Sequence, residues 1–249
     1  MGQSTIIKPI SSQALLSFNM QNVDSLFPGF MPGDFAIIYG LPSVLTLSLL
    51  LAVRAQLPFQ LGGIESSSIF IDGGNTFRLY RVSRLARLNN LRSRNALQRI
   101  FISRAFTAHQ MTSIILDKLE EAATKHDAKL IIISDYPALY LDKDISPEES
   151  REVFSQVTSY LSKLAEEKEV ILLVTSLPHD HSRRSTFFHA VACAKSNVTI
   201  AVKKKTAYPF EKQFTLEKHP IFRLGSVNFP SENLTLNYFL RRSSNGKDS

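Results

Sequence analysis

From Phe35 to Val53 the chain carries no charge, and only Gly40-Leu41-Pro42 interrupts its apolar character. A hydropathy window would read such a run as a membrane span. Pro42 in the middle argues against one continuous helix, because it lacks an N–H and its ring collides with the preceding turn. A buried parallel strand followed by a buried helix gives the same apolarity without lipid. Phe35 to Tyr39 is therefore expected to be a strand and Leu47 to Ala55 a helix, joined through Tyr39-Gly40-Leu41-Pro42-Ser43-Val44-Leu45-Thr46. No membrane association is expected. A loop between a strand and a helix holds phosphate when it reads GxxxxGK[ST]: glycines let backbone N–H groups curl around the anion, lysine neutralises it, and the hydroxyl holds magnesium. Here only Gly40 and Thr46 stand in matching roles.

With 249 residues, 44% hydrophobic and 20% charged, the chain can bury a sizeable core. One α/β domain over residues 1–240 is the simplest reading, with a polar, disordered tail over 241–249. The single Cys193 excludes a disulfide framework, and its Val-Ala-Cys-Ala setting suits a small core residue. No secretory leader is evident, so the sequons at Asn197 and Asn233 carry no weight. The expected location is intracellular: cytoplasm or nucleoid, or the nucleus in a eukaryotic host. The net charge of +7 is uneven: from Arg183 onward twelve Lys/Arg face four Asp/Glu, giving +8 there and −1 elsewhere. An anionic partner or a solubilising surface would each explain that asymmetry.

Strand and helix patterns alternate along the chain. Strands are expected at Ser68–Asp72, Ile100–Ser103, Leu130–Ser134 and Val170–Thr175, and helices at Thr76–Leu88 and Thr107–Lys125. A further helix starts where Ser146 caps, Pro147 opens the first turn and Glu149 closes a capping box. This order predicts a mostly parallel sheet covered on both faces, closed after Arg183 by shorter strands in a β-meander. In the helix from Thr76, Arg78, Arg81, Arg84 and Arg87 form a stripe, read as a solvated outer face.

Several stretches resemble the RecA/RadA-type strand-exchange recombinases and their paralogues. LAVRAQLPFQLGGIESSSIFIDGGNTFR, Leu51 to Arg78, follows that family's LAVxxQLP, GGxE and IDTExTFR order with its spacing. ISRAFTAHQ (Ile102 to Gln110), LIIISDYPALY (Leu130 to Tyr140) and FTLEKHP (Phe214 to Pro220) are similar to later family motifs. The resemblance covers about Leu15 to Phe229 and lacks the family's helical N-terminal domain. It implies a RecA-like P-loop ATPase core.

The departures fall on the ATPase residues. Leu45 stands where the resemblance implies the phosphate-binding lysine, and the loop is about two residues short. Gly74 replaces the glutamate of IDTExTFR, the implied general base. Ser134 takes the place of the magnesium-holding aspartate, with Asp135 displaced by one, which in a strand turns a side chain to the opposite face. Gly40, Leu45, Thr46, Gly74 and Asp135 are thus expected to be vestigial, with no catalytic residue, metal or cofactor.

The resemblance places DNA-contacting loops after Ser134 and after Thr175, the second over Leu177 to Ser196. Arg183 and Arg184 there, with Lys203, Lys204 and Lys205, are the candidate contacts for single-stranded DNA phosphates. Phe187 and Phe188 suit base stacking or, more simply, core packing. His179-Asp180-His181 lacks a completing Cys or carboxylate and is read as loop polarity rather than a zinc site. The expected role is a non-catalytic accessory in recombinational repair that binds single-stranded DNA, a recombinase or paralogue partner, or both. The alternatives are a structural subunit that pairs with an active paralogue without touching DNA, and an ATPase with an unorthodox loop.

Overall fold

The computed structural model describes residues 15–180, 182–205 and 211–230. Eight strands form one sheet: β1 (Phe35–Gly40), β2 (Ser67–Asp72), β3 (Ile100–Arg104), β4 (Ala128–Ser134), β5 (Ile171–Ser176), β6 (Val198–Lys204), β7 (Glu211–Lys218) and β8 (Gly225–Pro230). Their order is β3-β2-β4-β5-β1-β6-β7-β8, with β1 to β6 parallel and β6-β7-β8 antiparallel. The helices are α1 (Gln21–Leu26), α2 (Ser43–Arg54), α3 (Leu79–Leu88), α4 (Ser93–Gln98), α5 (Ala108–Ser113), α6 (Leu119–Lys125), α7 (Pro147–Lys168) and α8 (Arg183–Lys195). A π-helical turn, Ile114–Lys118, joins α5 to α6. This is the mostly parallel α/β core with a terminal meander that the sequence predicts.

Strand alternation divides the core in two. Ala36, Ile38, Leu130, Ile132, Ile171 and Leu173 face α2 and α3, whereas Phe35, Ile37, Ile131, Ile133, Leu172 and Val174 face α7 and α8. The segment before β1 joins the first side: Phe18, Phe27 and Phe30 interlock with Phe214 of β7, with ring centroids 4.8–6.3 Å apart. On the second side Phe188 stacks on Phe154 at 4.3 Å. Core packing is therefore its fate, while Phe187 stays partly exposed against Arg151.

Three element boundaries move for local reasons. The α2 helix starts at Ser43, four residues earlier than expected, because only Leu41 and Pro42 separate it from β1. The α3 helix starts at Leu79 rather than Thr76, because Arg78 is extended (φ −128°, ψ 98°), while the Thr76 and Phe77 N–H groups just before it are held by Asp72. Most of the stretch expected as a DNA-contacting loop, Leu177 to Ser196, is the α8 helix, capped by Ser182. Among the described residues no helix is long and apolar enough to cross a membrane. Phe35 to Val53 is strand, turn and helix instead. His181, Asn233 and the tail over 241–249 lie outside the described residues.

One charge is buried at the heart of the first side. Arg54, 2% exposed, donates to the carbonyls of Ser17, Leu61 and Gly62, to Ser17 Oγ and to Asn89 Oδ1. It thus ties the N-terminal segment, the turn after α2 and the end of α3 to one guanidinium. Arg54→Met removes every one of these donors from three partly buried segments, so urea denaturation is expected to show a loss of about 2–3 kcal/mol.

Candidate functional site

The β1–α2 turn lies at the C-terminal end of the parallel strands, where open α/β sheets bind ligands. Gly40 ends β1 with φ +114°, and a Cβ there would stand 2.2 Å from the Val202 carbonyl oxygen of β6. That contact excludes any side chain. The same carbonyl accepts the Leu41 N–H at 2.9 Å, the Val44 N–H goes to Leu41 O at 2.9 Å, and the Leu45 N–H goes to Pro42 O at 3.3 Å. Leu41 and Leu45 are half-buried against the first core. Ser43 Oγ is buried with no hydrogen-bond partner among the described residues.

Thr46 is also engaged. Its Oγ1 accepts a 2.6 Å hydrogen bond from the Arg81 guanidinium of α3. This corrects the reading of the arginine stripe as wholly solvated. In α3 the buried residues are Val82, Leu85 and Ala86, so at 100° per residue Arg81 sits on the flank of the helix rather than opposite its core. That phase was available in the sequence; the packing of α3 on α2 was not.

Asp72 organises the end of β2. It is fully buried; its Oδ1 accepts the Thr76 N–H at 2.7 Å and its Oδ2 the Phe77 N–H at 3.2 Å. The Thr76 and Ser134 hydroxyls lie 2.6 Å apart and both reach Asp72 Oδ1 at 3.1 Å. Arg104 at the end of β3 completes the set, 3.4 Å from Oδ2. Ser134 is thereby locked into a buried network that pattern reading did not find, since β2 and β4 are neighbours only in the sheet.

Asp135 stands just past β4 with φ +48°, so simple strand alternation does not set its direction. Its N–H donates to Thr175 Oγ1 at 2.9 Å, and its Oδ1 accepts the Leu177 N–H at 3.1 Å and meets His179 Nε2 at 3.0 Å. A Cβ on Gly74 would come within 2.9 Å of the Asp135 Cβ. The glycine and the displaced aspartate thus fit each other, and a glutamate at 74 would meet a carboxylate already in its space.

Beside this turn a cleft of about 350 Å³ opens between β1, β5, β6 and α8, lined by Tyr39, His179, His189 and Lys203 among others. Tyr39 donates to Glu217 of β7 at 2.7 Å, and Lys203 donates to the other oxygen of that carboxylate at 3.1 Å. Burial, reinforced by Glu217, pushes the Tyr39 phenol above its ordinary range, and burial pushes the His189 imidazole down.

The expected basic contacts do not assemble into one patch. Lys203 is paired with Glu217. Since β6 continues through Lys204, alternation sends Lys203 and Lys204 to opposite faces of the sheet. Arg184 is folded onto the chain, donating to the carbonyls of Leu141, Asp142 and Ile145. Arg183 is exposed at the first turn of α8. The family-like Lys218-His219-Pro220 stretch is structural: Lys218 donates to the carbonyls of Cys193, Ala194 and Ser196 at the end of α8. His219 Nδ1 accepts the Ile221 and Phe222 N–H groups, and burial pushes its pKa down to about 4.

The Rad51 family model matches residues 19–195, more than half of the chain. This chain belongs to the Rad51 family. The match takes in the β1–α2 turn, the Asp72 network, Asp135 and α8, and leaves out β6, β7 and the Lys218-His219-Pro220 stretch. Membership supports a role in DNA recombination or repair.

His179 offers a direct handle on the loop after β5. Its hydrogen bond to Asp135 raises its pKa above 6.5. A raised histidine pKa stabilises fully below the unfolded value, and the contribution is lost as pH rises through the folded value. The protection of the Leu177 amide, taken relative to its intrinsic base-catalysed exchange rate, is expected to fall as pH rises through the raised pKa of His179, and His179→Ala should remove that fall.

Proposed function

We propose that this Rad51-family chain is non-catalytic and acts as an accessory or mediator in recombinational repair, engaging single-stranded DNA, a recombinase partner or both. The observation that carries the reading is the state of the β1–α2 turn. Between Leu41 and Leu45, three of the four backbone N–H groups, those of Leu41, Val44 and Leu45, are donated to backbone carbonyls, Ser43 being the exception, and Pro42 has none. A phosphate needs those N–H groups turned toward it, with a lysine beside them. Leucine occupies the lysine position, and the Arg81 guanidinium bonds the hydroxyl that would hold magnesium. Ser134 and Gly74 supply neither a carboxylate for the metal nor a base for water, and Asp135 is committed to the Leu177 N–H and His179. The residues present do not fit magnesium-ATP, and no hydrolytic step follows from them.

The DNA and partner parts of the proposal draw on the family. Pairing with a recombinase or a paralogue, the alternative without DNA, has an edge of the sheet in its favour. At β3 and the turn that follows, Ile102 is 45% and Phe106 69% exposed, and β3 has one side unpaired among the described residues. Salt-dependent binding of the chain to a labelled oligonucleotide separates the two roles. The remaining reading, an active ATPase with an unorthodox loop, has in its favour the Ser43 Oγ, unpartnered among the described residues, and the Arg81 guanidinium beside Thr46.

Calorimetric titration with magnesium-ATP decides between a closed and a working pocket. No binding is expected up to millimolar nucleotide, and a micromolar dissociation constant would sink the non-catalytic reading. Leu45→Lys alone is expected to leave phosphate release at background, because the added ammonium would face a turn in which only the Ser43 N–H is left to meet a phosphate.

A further inference from the structure

Residues 73–116 contain eight arginines and no lysine, aspartate or glutamate. Along the chain this is a denser run of one charge sign than the C-terminal region carries, with only Arg104 ion-paired among the described residues, and it lies toward the opposite end of the sheet from β6 and β7. We propose that the outward face of α3, with the first turn of α4 beside it, binds the sugar-phosphate backbone of single-stranded nucleic acid, and that Tyr80 is a platform for a stacked base.

The helix phase defines the face. Val82, Leu85 and Ala86 are buried, which leaves Tyr80, Arg84 and Arg87 at i, i+4 and i+7 in a row opposite them. Tyr80 is 89% exposed, an extreme value for an aromatic ring that has no packing duty in the fold. Arg84 and Arg87 are exposed and make no hydrogen bond or ion pair among the described residues. They differ in this from Arg81, held by Thr46, and from Arg78, which donates to the Asn75 and Phe77 carbonyls. Ser93 Oγ donates to the Ser83 carbonyl at 3.0 Å and so brings the start of α4 alongside the row, with exposed Arg92 and Arg94 on either side of Ser93.

Three features select nucleic acid among polyanions. Guanidinium forks match phosphate geometry better than ammonium groups do, and the region uses arginine alone. An exposed tyrosine in such a field stacks on a base without reading its identity. From Tyr80 to Arg87 the helix rises about 10 Å, close to the length of about three stacked nucleotides at 3.4 Å each. The choice of nucleic acid rests in part on the recombination role; the charge row and the exposed ring do not.

Fluorescence anisotropy of the full chain with labelled oligothymidylate, over a salt series, tests the site. Arg84→Ala with Arg87→Ala is expected to weaken binding by about tenfold or more at low salt and to flatten the slope of log K against log salt by about 1.4. Arg84→Lys with Arg87→Lys should restore most of the slope, which a folding defect would not. Tyr80→Ala should weaken binding by about tenfold with the slope unchanged. Unaltered affinity and slope in the double alanine variant would overturn the site, as would a slope that instead follows alanine substitution at Lys203, Lys204 and Lys205. Polyglutamate competing as well as DNA would overturn the choice of nucleic acid. None of these measurements contains nucleotide triphosphate. Tight ATP binding would therefore defeat the non-catalytic reading and leave this site standing, whereas absence of DNA binding would defeat the site and leave a partner-only role.

Discussion

The Val202 carbonyl on β6 sets the geometry of the region where a ligand would be sought. It stands so close to Gly40 that no Cβ fits, and it accepts the Leu41 N–H. β1 is thereby stitched to β6 one residue past the strand end, and the chain has only Leu41 and Pro42 in which to turn before α2 begins. A longer loop could arch away from the sheet and expose its amides. This one spends those of Leu41, Val44 and Leu45 on backbone carbonyls.

The neighbouring strand ends are held by the same economy of polar groups. Asp72 is a fully buried carboxylate that collects two backbone N–H groups, two hydroxyls and a guanidinium, so its charge is compensated within the protein. Asp135 is tied to the loop after β5 through Leu177 and His179. Gly74 leaves the space that Asp135 fills. Gly74 and Asp135 therefore form one packed arrangement, and a side chain restored at 74 would collide with the aspartate.

Charge tells a different story from the one its sequence distribution suggests. The C-terminal excess is real in composition, yet Lys203 is paired, Arg184 clasps backbone carbonyls, and Lys218 caps a helix. The arginines of α3 and α4 split likewise: Arg81 is drawn inward to Thr46, while Arg84 and Arg87 project from the face opposite the buried side. Counting charges along the chain locates neither set, because a side chain's partners depend on which strand or helix lies against it.

Sequence alone determined the alternation of strands and helices, the buried aliphatic runs of β1, β4 and β5, the Ser146 cap of α7 and the family pattern from Leu51 to Arg78. Each of these is a local matter of periodicity, capping or residue order, and each survives without knowledge of neighbours. Only the tertiary structure decided that α2 begins at Ser43, that Leu177 to Ser196 is largely helix, that Arg81 reaches Thr46 and that Asp135 answers to His179. These depend on contacts between segments such as β1 with β6, β2 with β4 and α2 with α3, which are distant in the chain. Their pairing is set by the strand order of the sheet, and a one-dimensional pattern does not carry that order.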